Sequence, residues 1–168
     1  MKRFITSIAL IVLSIAAMAQ TLPVNTRQTI AQAQGKEKTY EIFEYKDADG
    51  TTGYYLGLGM PDNIPGYIIT FDDVPEACIK MGSTIEEVRK NLEDLIAFFG
   101  SASGSTRSFE ARTAVGGKLK ESNTAKATMQ RIFMGGRCIE FEYPSKAFTT
   151  VTYLRRHTVR ALQKSLQE

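Results

Sequence analysis

The chain has 168 residues, with 21 Lys and Arg against 18 Asp and Glu, a formal net charge of +3, one His and two Cys. An N-terminal segment carries two of the basic residues and no acid, so the rest has a net charge of about +1, without the strongly basic balance of a nucleic-acid binder. The remaining length suits one domain, and nine Phe and seven Tyr can fill its core although Trp is absent.

Residues 1 to 19 open with Lys2 and Arg3, continue with an apolar run from Phe4 to Ala17 and end on Ala19 before Gln20. A basic start, a short apolar stretch and a small-residue site form the pattern of a secretory signal peptide, cleaved near Ala19. The run is shorter than the ~20 residues that span a bilayer, and no comparable run follows. The mature chain is therefore expected to be exported, periplasmic or secreted, with no transmembrane segment. No Cys stands at the cleavage point to carry a lipid anchor.

Residues 20 to 38 are polar with little periodicity and read as an N-terminal tail, which places a single folded domain at 39 to 168. TYEIFEY (39 to 45) and GYYLGLG (53 to 59) flank KDADGTT, a turn composition, and are expected to pair as a hairpin. DADG lacks the third oxygen ligand and the distal Glu of a calcium loop, so it reads as a turn. After the double-proline break MPDNIPG, YIITF (67 to 71) is expected as a third strand, and a further strand at 75 to 81 is compatible with the same fold class.

A helix is predicted next. Thr84 and Glu87 make a capping box, Ile85, Val88, Leu92, Leu95, Ile96 and Phe99 recur at helical spacing, and Gly100 supplies a stop. Glu86, Arg89, Lys90, Glu93 and Asp94 fall largely on the solvated side. FDDVPEACIKMGSTIEEVRKN (71 to 91) locally resembles HicB-like antitoxin domains, whose strand passes through an acidic-Leu-Pro-Gly-Cys turn to a helix opened by Glu-Glu. This chain has an extra residue between Pro75 and Cys78, and Ser83 where those domains have Asp. The resemblance implies strand-turn-helix geometry. Those domains act inside the cell against an RNA-cleaving toxin, at odds with an exported chain, and no function is carried over.

GSASGSTR (100 to 107) reads as a loop and contains no Gly-x-Ser-x-Gly nucleophile elbow. SFEARTAV reads as a strand and GGKLKESNT as a polar loop. ATMQRIFM and RCIEFEY, joined by Gly135 and Gly136, are expected to form a hairpin in which Ile132 faces Ile139 and Arg131 faces Glu140. Ile132, Met134, Ile139, Phe141 and Tyr143 then share the core face, with Arg131, Glu140 and Glu142 on the other side together with Met129, Phe133 and Cys138.

From Ser145 onward, Ala147, Phe148, Val151, Leu154, Thr158, Ala161, Leu162 and Leu166 predict a helix, although AFTTVTYL has strand-like β-branched content. On that helix Arg156, Arg160 and Lys164 form a solvated stripe flanked by His157. Arg155 projects at the edge of the apolar stripe, between Leu162 and Leu166, where a guanidinium needs a partner. Either its head reaches water or a carboxylate, or it is an anion-binding group in a cleft.

These elements give an α+β fold in βββα-βββα order, an antiparallel sheet with both helices packed on one face, and leave a duplication of the two halves open. Cys78 and Cys138 admit two readings, a disulfide formed in an oxidising compartment or two separate buried thiols. Zinc-ligand spacing, a phosphate loop and a nucleophile motif are all missing, so no catalytic residue, metal or cofactor is assigned, and Arg155 is the one ligand-binding candidate. The expected role is a small non-enzymatic binding or accessory protein of the cell envelope, taking an envelope protein or a small ligand and no nucleic acid. The alternative is an envelope hydrolase using Arg155 and His157 with an unidentified carboxylate, and a third reading is a purely structural part of an envelope complex.

Overall fold

The computed structural model describes residues 22–35, 38–59, 76–132, 136–144 and 149–167. The segment read as a signal peptide and the strand expected at YIITF (67 to 71) lie outside the described residues. Within them the chain forms β1 (Thr26–Gln34), β2 (Thr39–Lys46), β3 (Thr52–Gly57), β4 (Glu76–Gly82), α1 (Ile85–Phe98), β5 (Thr106–Val115), β6 (Lys118–Arg131), β7 (Arg137–Pro144), β8 (Thr149–Arg155) and α2 (Arg156–Ser165). All eight strands join one antiparallel sheet in sequence order, each paired with the next.

The β2–β3 hairpin forms as its residues dictate. Asp47 N–H donates to the Thr51 carbonyl at 2.8 Å, Gly50 sits at φ 87°, and the strands pair with Phe43 opposite Tyr55. α1 is capped as predicted, with Glu87 N–H donating to the Thr84 hydroxyl at 3.2 Å and Ser83 N–H donating to the Glu87 carboxylate at 2.6 Å. Val88, Leu92, Leu95 and Phe98 face the core.

The expected α+β layout with two helices on one face is overturned. Four described strands, not three, precede each helix, and the sheet curls into a half-barrel that dominates the molecule. Twist accumulates over eight strands, and register shifts at Thr29/Ala31, Tyr54/Tyr55 and Arg112/Ala114 add bends. The curl brings the ends together: the Tyr40 hydroxyl on β2 donates to the Tyr153 carbonyl on β8 at 2.8 Å. α2 packs mainly against β1, also meets β2, β8 and α1, and bonds the sheet edge through Gln32 N–H and the Ser165 hydroxyl at 3.3 Å. Among the described residues, no helix is long and apolar enough to cross a membrane.

Other expectations change with this topology. Residues 26–34, read as a tail, form edge strand β1, whose buried side chains are only Ala31 and Ala33. The polar GGKLKESNT segment is a two-glycine turn, Gly116 at φ 55° and Gly117 at φ 75°, running into β6. The β6–β7 register places Met129 opposite Ile139 and Arg131 opposite Arg137. This differs from the expected pairing by an odd number of residues, so Met129 takes the core face in place of Ile132, while Ile139, Phe141 and Tyr143 stay there. Glu140 accepts from Gln130 at 3.2 Å and Glu142 lies 3.6 Å from Lys126, so Arg131 serves neither.

The sheet buries both faces. The concave side, with both helices, holds one large cluster built on Ile42, Leu56, Met81, Leu92, Met129, Phe141 and Leu162. The opposite side holds a smaller one of Phe43, Tyr45, Tyr55, Cys78, Ala114 and Leu119. Cys78 and Cys138 are free and buried. They lie on β4 and β7 with two strands between, roughly 14 Å apart at ~4.8 Å per strand, beyond the ~7 Å Cα reach of a disulfide.

Candidate functional site

Two charged clefts stand out among the described residues. The first, about 280 Å³, lies over the smaller cluster and is lined by Asp47, Tyr55, Lys80, Glu110, Arg112 and Lys120 among others. Its main charges are matched internally. Arg112 donates to both Asp47 carboxylate oxygens at 2.9 and 2.7 Å, and its guanidinium lies 5.8 and 5.9 Å from the Tyr45 and Tyr55 ring centres. Lys80 pairs with Glu110 at 2.9 Å. Burial opposes the charge on Arg112, but hydrogen bonds to Asp47 and Tyr55 outweigh it and raise its pKa. This cleft is a self-satisfied polar network that pins the β5–β6 hairpin onto β2 and β3.

The second cleft, about 370 Å³, opens where β8 passes into α2 and is lined by Ile132, Gly136, Arg137, Arg155, Arg156, His157 and Arg160. Four arginines and the chain's one histidine line it. Among the described residues, no Asp or Glu lines it. Arg155, Arg156, Arg160 and His157 have no ion-pair or hydrogen-bond partner among the described residues. Arg137 is anchored otherwise, donating to the carbonyls of Phe99 at 2.5 Å and Ser101 at 3.3 Å. It supplies the cation that the C-terminus of α1 lacks in its own last turn.

Local structure explains how the cluster assembles. The segment after residue 148 was expected to be helical throughout, but β-branched Thr149, Thr150, Val151 and Thr152 extend as β8, and the helix starts only at Arg156. Arg155 is therefore not wedged between Leu162 and Leu166. It is the last strand residue and the N-cap of α2, exposed, with its backbone opposite Cys138. Thr158, Val159 and Leu162 turn inward, which leaves Arg156, His157 and Arg160 on the outer side as the expected stripe required. Burial pushes the neighbouring Cys138 thiol up, Glu140 adds to the rise, and the Arg155 charge opposes it.

The first turn of α2 reverses the usual rules. α1 has a Thr cap with Glu86 and Glu87 in its first turn, whereas α2 has no side-chain cap, no acid in that turn, and Arg155, Arg156 and His157 around it. Unbonded amides and the positive end of the helix dipole disfavour cations there. Local rules broken in this way are expected at functional or strained sites.

The sequence singled out Arg155 and His157, and the structure brings them together with Arg156 and Arg160. It missed Arg137, which arrives through the β7–β8 pairing. Among the described residues, no group of three or more His, Cys, Asp or Glu side chains could hold a metal ion. In comparisons with family models, curated proteins and solved structures, nothing matches the chain.

Proposed function

We propose that the chain is a small, exported, non-enzymatic binding protein of the cell envelope, and that the cleft at the β8–α2 junction receives an acidic group of an envelope protein or small ligand. The observation that carries this reading is the set of arginines gathered around a helix start with no described counter-charge. Guanidiniums held at a cleft in this state lose little on binding, because no internal ion pair has to break first. The outer-face cleft would have to surrender Arg112–Asp47 and Lys80–Glu110 to do the same. Binding is favoured over the hydrolase reading because Arg155 and His157 meet without a described carboxylate to orient or activate the imidazole. Export rests on the signal-peptide pattern of residues 1 to 19.

The test is co-purification from the native envelope with the wild-type chain and an Arg155→Gln/Arg160→Gln variant, with mass spectrometry of the N-terminus. The proposal expects an N-terminus near Gln20 in the exported fraction and a bound component that the variant loses. A component retained equally by the variant removes the cleft from the account, and an intact Met1 in the cytosolic fraction removes export.

A further inference from the structure

We infer that the group received by the cleft is a phosphate, carried on a lipid headgroup or free in solution; this rests on the binding role proposed above and names its ligand class. The argument starts from how many donors converge and from where. Arg155 enters from the end of β8 and Arg156 and Arg160 from one side of α2, with His157 beside them, while Arg137 lines the cleft with its guanidinium held on the Phe99 and Ser101 carbonyls. A carboxylate offers one charge and two oxygens in a plane, so one guanidinium fork already matches its charge and takes one lone pair on each oxygen. The other arginines would be left facing one another. A phosphate monoester carries between one and two negative charges near neutral pH and offers tetrahedrally arranged oxygens, so cations approaching from β8 and α2 can each find an acceptor.

The wall of the cleft fits the same shape of ligand. Ile132 and Gly136 contribute little polarity opposite the arginines, and a cleft of about 370 Å³ exceeds what a single small ion fills. The open amides at the start of α2 add to this cluster. The guanidiniums carry the inference, and it would stand without the helix end.

The experiment is calorimetric titration of the chain, at low salt, with inorganic phosphate, pyrophosphate, succinate and citrate. It is paired with flotation on phosphatidylcholine vesicles with and without phosphatidic acid, whose headgroup is a phosphate monoester. The expected result is saturable binding of phosphate and pyrophosphate, weakened at least about tenfold by Arg155→Gln/Arg160→Gln. Both arginines are exposed, so the variant should keep the wild-type melting temperature. Lys118→Gln removes a charge at the far end of β6, roughly 40 Å away at ~3.3 Å per residue, and should leave affinity unchanged. Retention on phosphatidic acid vesicles that pyrophosphate displaces assigns the phosphate to a lipid. Pyrophosphate binding without vesicle retention assigns it to a soluble ligand. Citrate or succinate binding as tightly as pyrophosphate, with the same loss in the variant, overturns the phosphate inference and leaves the binding role standing. No binding of any anion, or equal loss in Lys118→Gln, overturns both.

Discussion

Arg112 shows what a cation does in this protein when it is structural. It is held by Asp47, the Leu119 and Lys120 carbonyls and two tyrosine rings, on the opposite side of the sheet from the helices. Arg112→Ala would remove the stacking and leave Asp47 half-buried without its partner. We expect a loss of about 2–4 kcal/mol in denaturant unfolding, and a change under about 0.5 kcal/mol would contradict the network described. Cys78 lies beneath the same network, where burial pushes its thiol well above the ordinary range, with Glu76 adding to the rise. The folded chain keeps that proton after the unfolded chain has released it. This contribution is therefore flat below the unfolded thiol pKa near ~8.5 and declines as pH rises past it, by up to about 1.4 kcal/mol per pH unit. Cys78→Ala should remove that alkaline decline from the stability profile; an identical slope in both proteins would show that the thiol is not buried as described.

Elements that satisfy local rules were readable in the sequence, and those that depend on distant partners were not. α1 was legible because its cap, stripe and stop are encoded within the seventeen residues 84 to 100. Gly82, at φ 133°, lets the strand end approach Glu87, whose carboxylate then closes the cap. Thr84→Ala should cost about 1 kcal/mol by thermal or chemical denaturation, and no measurable cost would argue that the cap is not formed. β1 was missed because an edge strand with polar residues on its open side looks like a tail, and only its pairing with β2 gives Ala31 and Ala33 a core to enter. Hydrogen exchange tests this strand. Amides of 26–34 bonded to β2 should exchange far more slowly than an unstructured peptide, whereas exchange at the free-peptide rate throughout would restore the tail. The helix start at Arg156 was missed for a related reason, since the periodicity of 147 to 166 runs through a strand-to-helix change that β-branched content marks more faithfully.

At the scale of the whole molecule, curling decides what meets what. No local pattern announces that Tyr40 and Tyr153 touch, or that Arg137 joins Arg155 at one cleft, because both follow from closure and from a β6–β7 register that a single loop-length assumption displaced. The two cysteines follow the same logic: strand order keeps them apart. Thiol titration of the unfolded, non-reduced chain should therefore find two free sulfhydryls, both slow to react before unfolding, and finding none would require a different strand order. The candidate site was half legible. Arg155 and His157 stood out as residues, but their convergence with Arg137, Arg156 and Arg160 belongs to the fold. The most direct test of that convergence is backbone amide NMR of the 15N-labelled chain during addition of pyrophosphate. Saturable shifts centred on residues 136, 137 and 155–160, with Lys118 and Lys120 unmoved, are the predicted result. Shifts scattered over all basic side chains, or centred on the cleft of Asp47 and Arg112, would contradict it.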